Sequence, residues 1–223
     1  MTVETKRNAA AASSLCFHAV KIELAGRRLI DLDGCIEPGE VLTVMGPSGC
    51  GKSSLLAYVA GFLDPAFTAA GGVTLGGNDI TSMPAENRRV GLLFQDALLF
   101  PHMSVGGNLS FALPHDPALD SSARRDRIDA ALEEAGLAGM ADRDPATLSG
   151  GQQSRVALMR VLLAQPSALL LDEPFSKLDS DLRQQIRDFV FAEARSRRLP
   201  VLLVTHDPAD AAAAGGRVIE LTG

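Results

Sequence analysis

The sequence is short of three things. No apolar run comes near the ~18 residues that span a bilayer, so a role at a membrane requires docking on a separate membrane partner. There is no basic excess, since 21 Lys and Arg stand against 27 Asp and Glu for a net charge of −6. A general nucleic-acid binder carries a basic face, so no nucleic-acid partner is expected. Only three cysteines occur, Cys16, Cys35 and Cys50, with no CxxC pair and no His at zinc-finger spacing. Neither a disulfide frame nor a zinc site is indicated, and reduced thiols of a cytosolic protein are expected. The opening, Met1 to Ser14, is polar and then Ala-rich with no apolar h-region. It reads as a flexible tail rather than a signal peptide.

What is present suits one α/β domain over residues 15–223. The 223 residues are 46% hydrophobic and 22% charged, enough to bury a sizeable core. Leu15 to Leu24 and Arg28 to Ile36 read as strands closed by turn signals. Val41 to Met45, Val73 to Leu75, Val90 to Phe94, Leu169 to Leu171 and Val201 to Val204 are short apolar runs. Such runs suit strands of a buried parallel sheet. Lys52 to Gly61, Ser122 to Ala135 and Gln152 to Ala164 read as helices, and Leu182, Ile186, Phe189 and Val190 mark one face of another. Pro, Gly and His punctuate Phe100 to Pro117, and the region from about 97 to 160 reads as a helical lobe inserted in the sheet domain. Strands alternating with helices indicate a parallel sheet.

Gly46-Pro47-Ser48-Gly49-Cys50-Gly51-Lys52-Ser53 fits G-x-x-x-x-G-K-[ST], with a strand before it and a helix after. Glycines let backbone N–H groups turn inward as an anion nest, and a helix N-terminus adds positive partial charge. Lys52 is placed to reach the β- and γ-phosphates of a nucleotide, and Ser53 to ligate Mg²⁺; Ser54 follows on the same helix turn. Ala168 to Asp172 is an apolar strand that ends in acids. Carboxylates at such a strand end lie where ligands bind an α/β sheet. Asp172 is expected to hold Mg²⁺ through water, and Glu173 to act as general base on the attacking water.

Leu148-Ser149-Gly150-Gly151-Gln152 opens a helix shortly before the acidic strand. With it, the chain resembles the nucleotide-binding subunits of ABC transporters from about Leu15 to Leu221. The likeness is greatest to bacterial binding-protein-dependent importers. The segments FQDALLF and DPATLSGGQ are similar to the Ynj-type group among them. The resemblance implies a P-loop NTPase (RecA-like) core with an N-terminal antiparallel β-subdomain and an inserted α-helical subdomain. It implies ATP and Mg²⁺ as ligands. Gln95 matches the Q-loop glutamine, near the Mg²⁺ and the water, and Asp179 closes the D-loop Ser176 to Asp179. His206 matches the switch histidine beside Glu173. Ser149, Gly150, Gly151 and Gln152 are the signature turn, which in the family holds the γ-phosphate bound by a second copy. Two ATPs are then buried in a head-to-tail dimer.

The resemblance further implies integral-membrane permease subunits as partners, a solute-binding protein indirectly, and a peripheral place on the cytoplasmic face of the membrane. Leu98, Leu99 and Phe100 beside Gln95 would receive the permease or pack in the core. A soluble ABC ATPase outside transport, for example in Fe–S assembly, is the alternative. Three positions depart from the family pattern. Leu24 stands where an aromatic residue usually stacks on adenine, with Phe17 and His18 as nearby substitutes, Ser154 replaces a frequent Gln, and Lys177 replaces a small D-loop residue. The short chain after His206 is expected to hold no C-terminal regulatory domain.

Overall fold

The computed structural model describes residues 13–117 and 120–221. The expected tail lies outside them except for Ser13 and Ser14. The Ser14 hydroxyl donates to Glu37 at 2.6 Å, which fixes that residue on the sheet.

In chain order the strands are β1 (Leu15–Leu24), β2 (Arg27–Ile36), β3 (Val41–Met45), β4 (Phe67–Leu75), β5 (Asn78–Asp79), β6 (Val90–Leu93), β7 (Ala168–Asp172), β8 (Val201–Thr205) and β9 (Arg217–Glu220). The α-helices are α1 (Lys52–Ala60), α2 (Val105–Ala112), α3 (Ser121–Glu134), α4 (Gly150–Leu163), α5 (Ser180–Ser196) and α6 (Pro208–Ala214). The antiparallel sheet has the order β2-β1-β4-β5, and the parallel sheet β6-β7-β8-β3-β9. The α/β reading therefore holds, with both sheets present.

The runs VLTVM, ALLLD and VLLVT are too short for helices and buried on both faces, so they become central parallel strands. Alternation along them feeds two cores. Leu169, Leu171, Val201 and Leu203 pack with α2, α3, α4 and α5. Ala168, Leu170, Leu202 and Val204 pack with α1 and the antiparallel sheet. The parallel sheet is thus the middle layer, and each fully buried Leu contributes roughly 1.5–3 kcal/mol.

Register fixes the working edge. Met45 lies opposite Thr205, Asp172 opposite Val204, and Leu93 opposite Leu171. The carboxyl ends of β3, β8, β7 and β6 therefore fall along one edge of the sheet.

Several elements differ from the sequence reading. β4 begins at Phe67, because its antiparallel partner β1 supplies a ladder through the weak strand formers Ala69 to Gly72. Helix α2 forms within the Pro- and Gly-punctuated stretch. Ser104 caps it by accepting from the Gly107 N–H, and buried Asn108 bonds the backbone of Phe100 in both directions. Helix α6 and strand β9 had no sequence assignment. Asp207 caps α6, with Pro208 in its first turn.

The cysteine expectation is corrected. Cys16 and Cys35 form a disulfide, and only Cys50 remains a free thiol. The β1–β2 register sets residue 16 directly across from residue 35, with Cα atoms 4.0 Å apart. A separation of 19 residues carries no information about that register.

Candidate functional site

The loop Gly46 to Gly51 joins β3 to α1 at the working edge. Gly46, Gly49 and Gly51 have φ of 153°, 82° and 98°, conformations that L side chains rarely adopt. A Cβ on Gly51 would also sit 2.8 Å from Leu29 of β2, so the loop is wedged beneath the antiparallel sheet. No side chain caps α1, whose first N–H groups remain available at the loop. The Lys52 ammonium spans the loop, donating to the Gly46 and Pro47 carbonyls at 2.8 Å each. Cys50 Sγ is 4.0 Å from it and buried.

The next edge positions come from β7. The Ser53 hydroxyl donates to Asp172 at 3.2 Å, across 119 residues of sequence. Burial pushes the Asp172 carboxyl above its ordinary range, and the charge of Glu173 adds to the rise. The Ser53 hydrogen bond and the Lys52 charge act against them. Glu173 adopts φ 45°, a strained conformation for a residue with a side chain. It is held there from both sides. Its N–H donates to Val204 O at 2.9 Å, and its carbonyl accepts from the Ser176 hydroxyl at 2.9 Å. The strain directs the carboxylate to His206 at the end of β8, where Oε2 lies 3.1 Å from Nδ1.

One hydroxyl and one carboxylate 3.2 Å apart offer hard oxygen ligands. Among the described residues no group of three His, Cys, Asp or Glu could hold a metal unaided. The pair Ser53–Asp172 fits Mg²⁺, which keeps waters and shares its coordination with substrate phosphates.

The remaining expected residues are not joined to this cluster by hydrogen bonds. Gln95 follows β6 and is exposed. Its neighbour Asp96 pairs with Lys177, so the unusual D-loop lysine ties that loop to the segment after β6. Both side chains are more than half exposed (53% and 58%), and such a pair contributes at most about 1 kcal/mol. Asp179 caps α5 by accepting from the Leu182 N–H at 3.0 Å. Ser149 caps α4 in a reciprocal box with Gln152, at 3.3 and 3.0 Å. Gly151 is buried where a Cβ would meet Leu182 at 2.4 Å, so α4 and α5 touch at the signature turn.

The apolar triplet after Gln95 divides. Leu98 is exposed, Leu99 packs partly on the core, and Phe100 meets Phe111 edge-on beneath the Arg160 guanidinium. Of the three positions considered for the base, Phe17 is buried in the core and so excluded. Leu24 is exposed at the end of its strand, and exposed His18 bonds Thr74.

The sequence profile of the ABC transporter family matches residues 29–176. The chain belongs to the ABC transporter family. It is 49% identical over 197 residues to the uncharacterised ABC transporter ATP-binding protein YnjD of Escherichia coli, covering 88% of this chain and 90% of that protein. The Fe(3+) ions import ATP-binding protein FbpC of Agrobacterium fabrum is 42% identical over 85% of this chain, which spans 52% of its length. The spermidine/putrescine import ATP-binding protein PotA of Frankia alni is 43% identical over 86% of this chain, which spans 40% of its length. This ABC protein is thus an ATP-binding subunit and an ABC-type ATPase.

Two residues of this ABC edge escaped the sequence reading, Arg183 and Asp207. Arg183 donates to Asp207 at 2.6 Å. Their only sequence signal is placement, one residue a helical turn after Asp179 and the other directly after His206.

Proposed function

We infer that this chain binds MgATP along the strand-end edge, hydrolyses it, and thereby energises solute transport through a separate integral-membrane permease. The loop Gly46 to Gly51, through the N–H groups of its residues other than Pro47, takes the phosphates together with Lys52, Ser53 and Ser54. Ser53, Asp172 and Gln95 would hold Mg²⁺, which would supply positive charge against the phosphates. Glu173 orients and deprotonates the attacking water, and His206 holds the Glu173 carboxylate and contacts the γ-phosphate. Phosphoryl transfer needs positioning and charge neutralisation above all, and these residue types supply both. The observation that carries this reading is that Ser53–Asp172 and Glu173–His206 contact each other pairwise on one sheet edge.

Ser149, Gly150, Gly151 and Gln152 serve the γ-phosphate bound by a second copy, so the working unit is a head-to-tail dimer closed by ATP. Asp179 lies on the D-loop at that interface. The exposed segment around Leu98 meets the permease, which places the chain peripherally on the cytoplasmic face. Import, with a solute-binding protein acting upstream, is favoured by the names of the iron and polyamine relatives.

The test is Glu173→Gln in the full chain with MgATP. ATP binding is retained and a closed dimer accumulates on a sizing column, while turnover is lost. A monomer at saturating MgATP with turnover unchanged would reject both the base assignment and the dimer.

A further inference from the structure

The Glu173–His206 pair is enclosed by a ring of contacts that extends beyond the phosphate-facing groups. His206 is followed by Asp207, whose Oδ2 accepts from Arg183 at 2.6 Å. The second terminal nitrogen of Arg183, Nη2, donates to the Ser176 and Leu178 carbonyls at 3.3 and 3.2 Å. Ser176 returns to Glu173, whose carbonyl accepts both the Ser176 hydroxyl and its N–H, at 2.9 and 3.2 Å. The circuit therefore runs Glu173, His206, Asp207, Arg183, Ser176 and back to Glu173. Arg183 and Asp207 are each 27% exposed, so their charges are largely withdrawn from water.

Only a guanidinium suits the position. Its planar fork addresses a carboxylate and two carbonyls at once, whereas an ammonium is a point charge on a flexible stem. Asp207 is equally committed. Its Oδ1 accepts from the Ala209 N–H at 2.8 Å to cap α6, and its own N–H donates to Thr205 at 3.1 Å. Arg183 thus bolts the loop that carries His206 to the loop that runs from Glu173 to Asp179. Glu173 is strained, so its carboxylate direction depends on this surrounding frame.

We propose that Arg183 is a positioning residue for ATP hydrolysis, fixing the Glu173–His206 geometry and coupling it to the D-loop through Asp207 and the Ser176 and Leu178 carbonyls. This rests on the reading of Glu173 and His206 as the hydrolytic pair. It makes no contact with the phosphate loop, so the effect belongs in the chemical step rather than in nucleotide affinity.

The experiment measures steady-state ATPase kinetics and thermal unfolding of the full chain. Arg183→Met lowers kcat about tenfold to a hundredfold, the scale of a misplaced catalytic group, with KM for MgATP within about twofold. Asp207→Asn keeps the α6 cap acceptor and lowers kcat to a similar degree. The double variant falls no further than the weaker single, because both changes open the same ring. Wild-type kcat in Arg183→Met, a rise in KM alone, or fold losses that multiply in the double variant would each overturn the proposal. If Arg183→Met does not fold, Arg183→Lys takes its place. An intermediate kcat is then expected, and a wild-type value overturns the proposal. Glu173→Gln is measured alongside. Turnover in it would sink the underlying reading, whereas an inactive Glu173→Gln beside a fully active Arg183→Met would sink this inference alone.

Discussion

The strand-end edge and the signature turn satisfy their polar groups in opposite ways. Lys52 bonds the local Gly46 and Pro47 carbonyls, but the other partners along that edge come from distant parts of the chain. Ser53 reaches Asp172, Glu173 reaches His206, and Glu173 is held by the backbone of β8. Around Ser149 the partners are local. The Ser149 hydroxyl accepts from the Gln152 backbone N–H, the Gln152 side-chain oxygen accepts from the Ser149 N–H, and the Ser154 hydroxyl donates to the Gly150 carbonyl within the same helix. The first region is assembled by tertiary structure within one chain. The second is a finished helix N-terminus whose exposed residues Ser149 and Gly150 bond only within the turn and its own helix. A surface built that way is suited to a ligand presented from outside the chain, which is the arrangement a head-to-tail dimer requires.

That contrast breaks most sharply at Lys52. Lys52→Ala is expected to lower hydrolysis by at least about 10²–10³, since it removes the charge that serves the phosphates. Wild-type rates would show that the loop is not the phosphate site, and the comparison would lose its first half.

A smaller effect sharpens the second half. Ser149→Asp keeps a good N-cap but sets a negative charge where a partner's γ-phosphate is proposed to sit. Unfolding is expected to stay near the wild-type midpoint while turnover falls about tenfold or more. Unchanged turnover would make Ser149 a helix cap only.

The smallest effect concerns the buried polar network behind His206. Thr205 and Arg187 both donate to Asp210. Burial raises the Asp210 carboxyl above its ordinary value of 3.8, with the Asp207 charge adding to the rise and the two hydrogen bonds opposing it. A carboxyl whose pKa is higher in the folded chain favours folding below its unfolded pKa and loses that contribution as pH rises through the folded one. Wild type should therefore lose stability relative to Asp210→Asn as pH rises from about 3 to about 6, read by urea unfolding at both values. A constant or inverted gap would show that the hydrogen bonds, not burial, set this carboxyl.

Much of this was legible before any fold was known. The loop Gly46 to Ser53 could be singled out because the chemistry proposed for it needs particular residue types at fixed spacing, and both flanks are local. Val41 to Met45, Ala168 to Asp172 and Val201 to Val204 were legible because a run of five or fewer apolar residues is too short for a helix. Helix α2 was not, since its stabilising partner is buried Asn108, whose bonds to Phe100 form only once the loop folds back. The Cys16–Cys35 disulfide was not, since it depends on strand register. Arg183 resembled any surface arginine of an amphipathic helix until its three partners were in place.

By itself the sequence determined the family and the ATPase class and singled out the groups proposed to perform the chemistry, because each is written in short segments whose spacing is set by local backbone geometry. Tertiary structure alone decided which of those groups touch, which thiols pair, and what holds Glu173 in its strained conformation. Those contacts join residues as far apart as Ser53 and Asp172, and no local pattern encodes a distance that arises only when parallel strands align their ends.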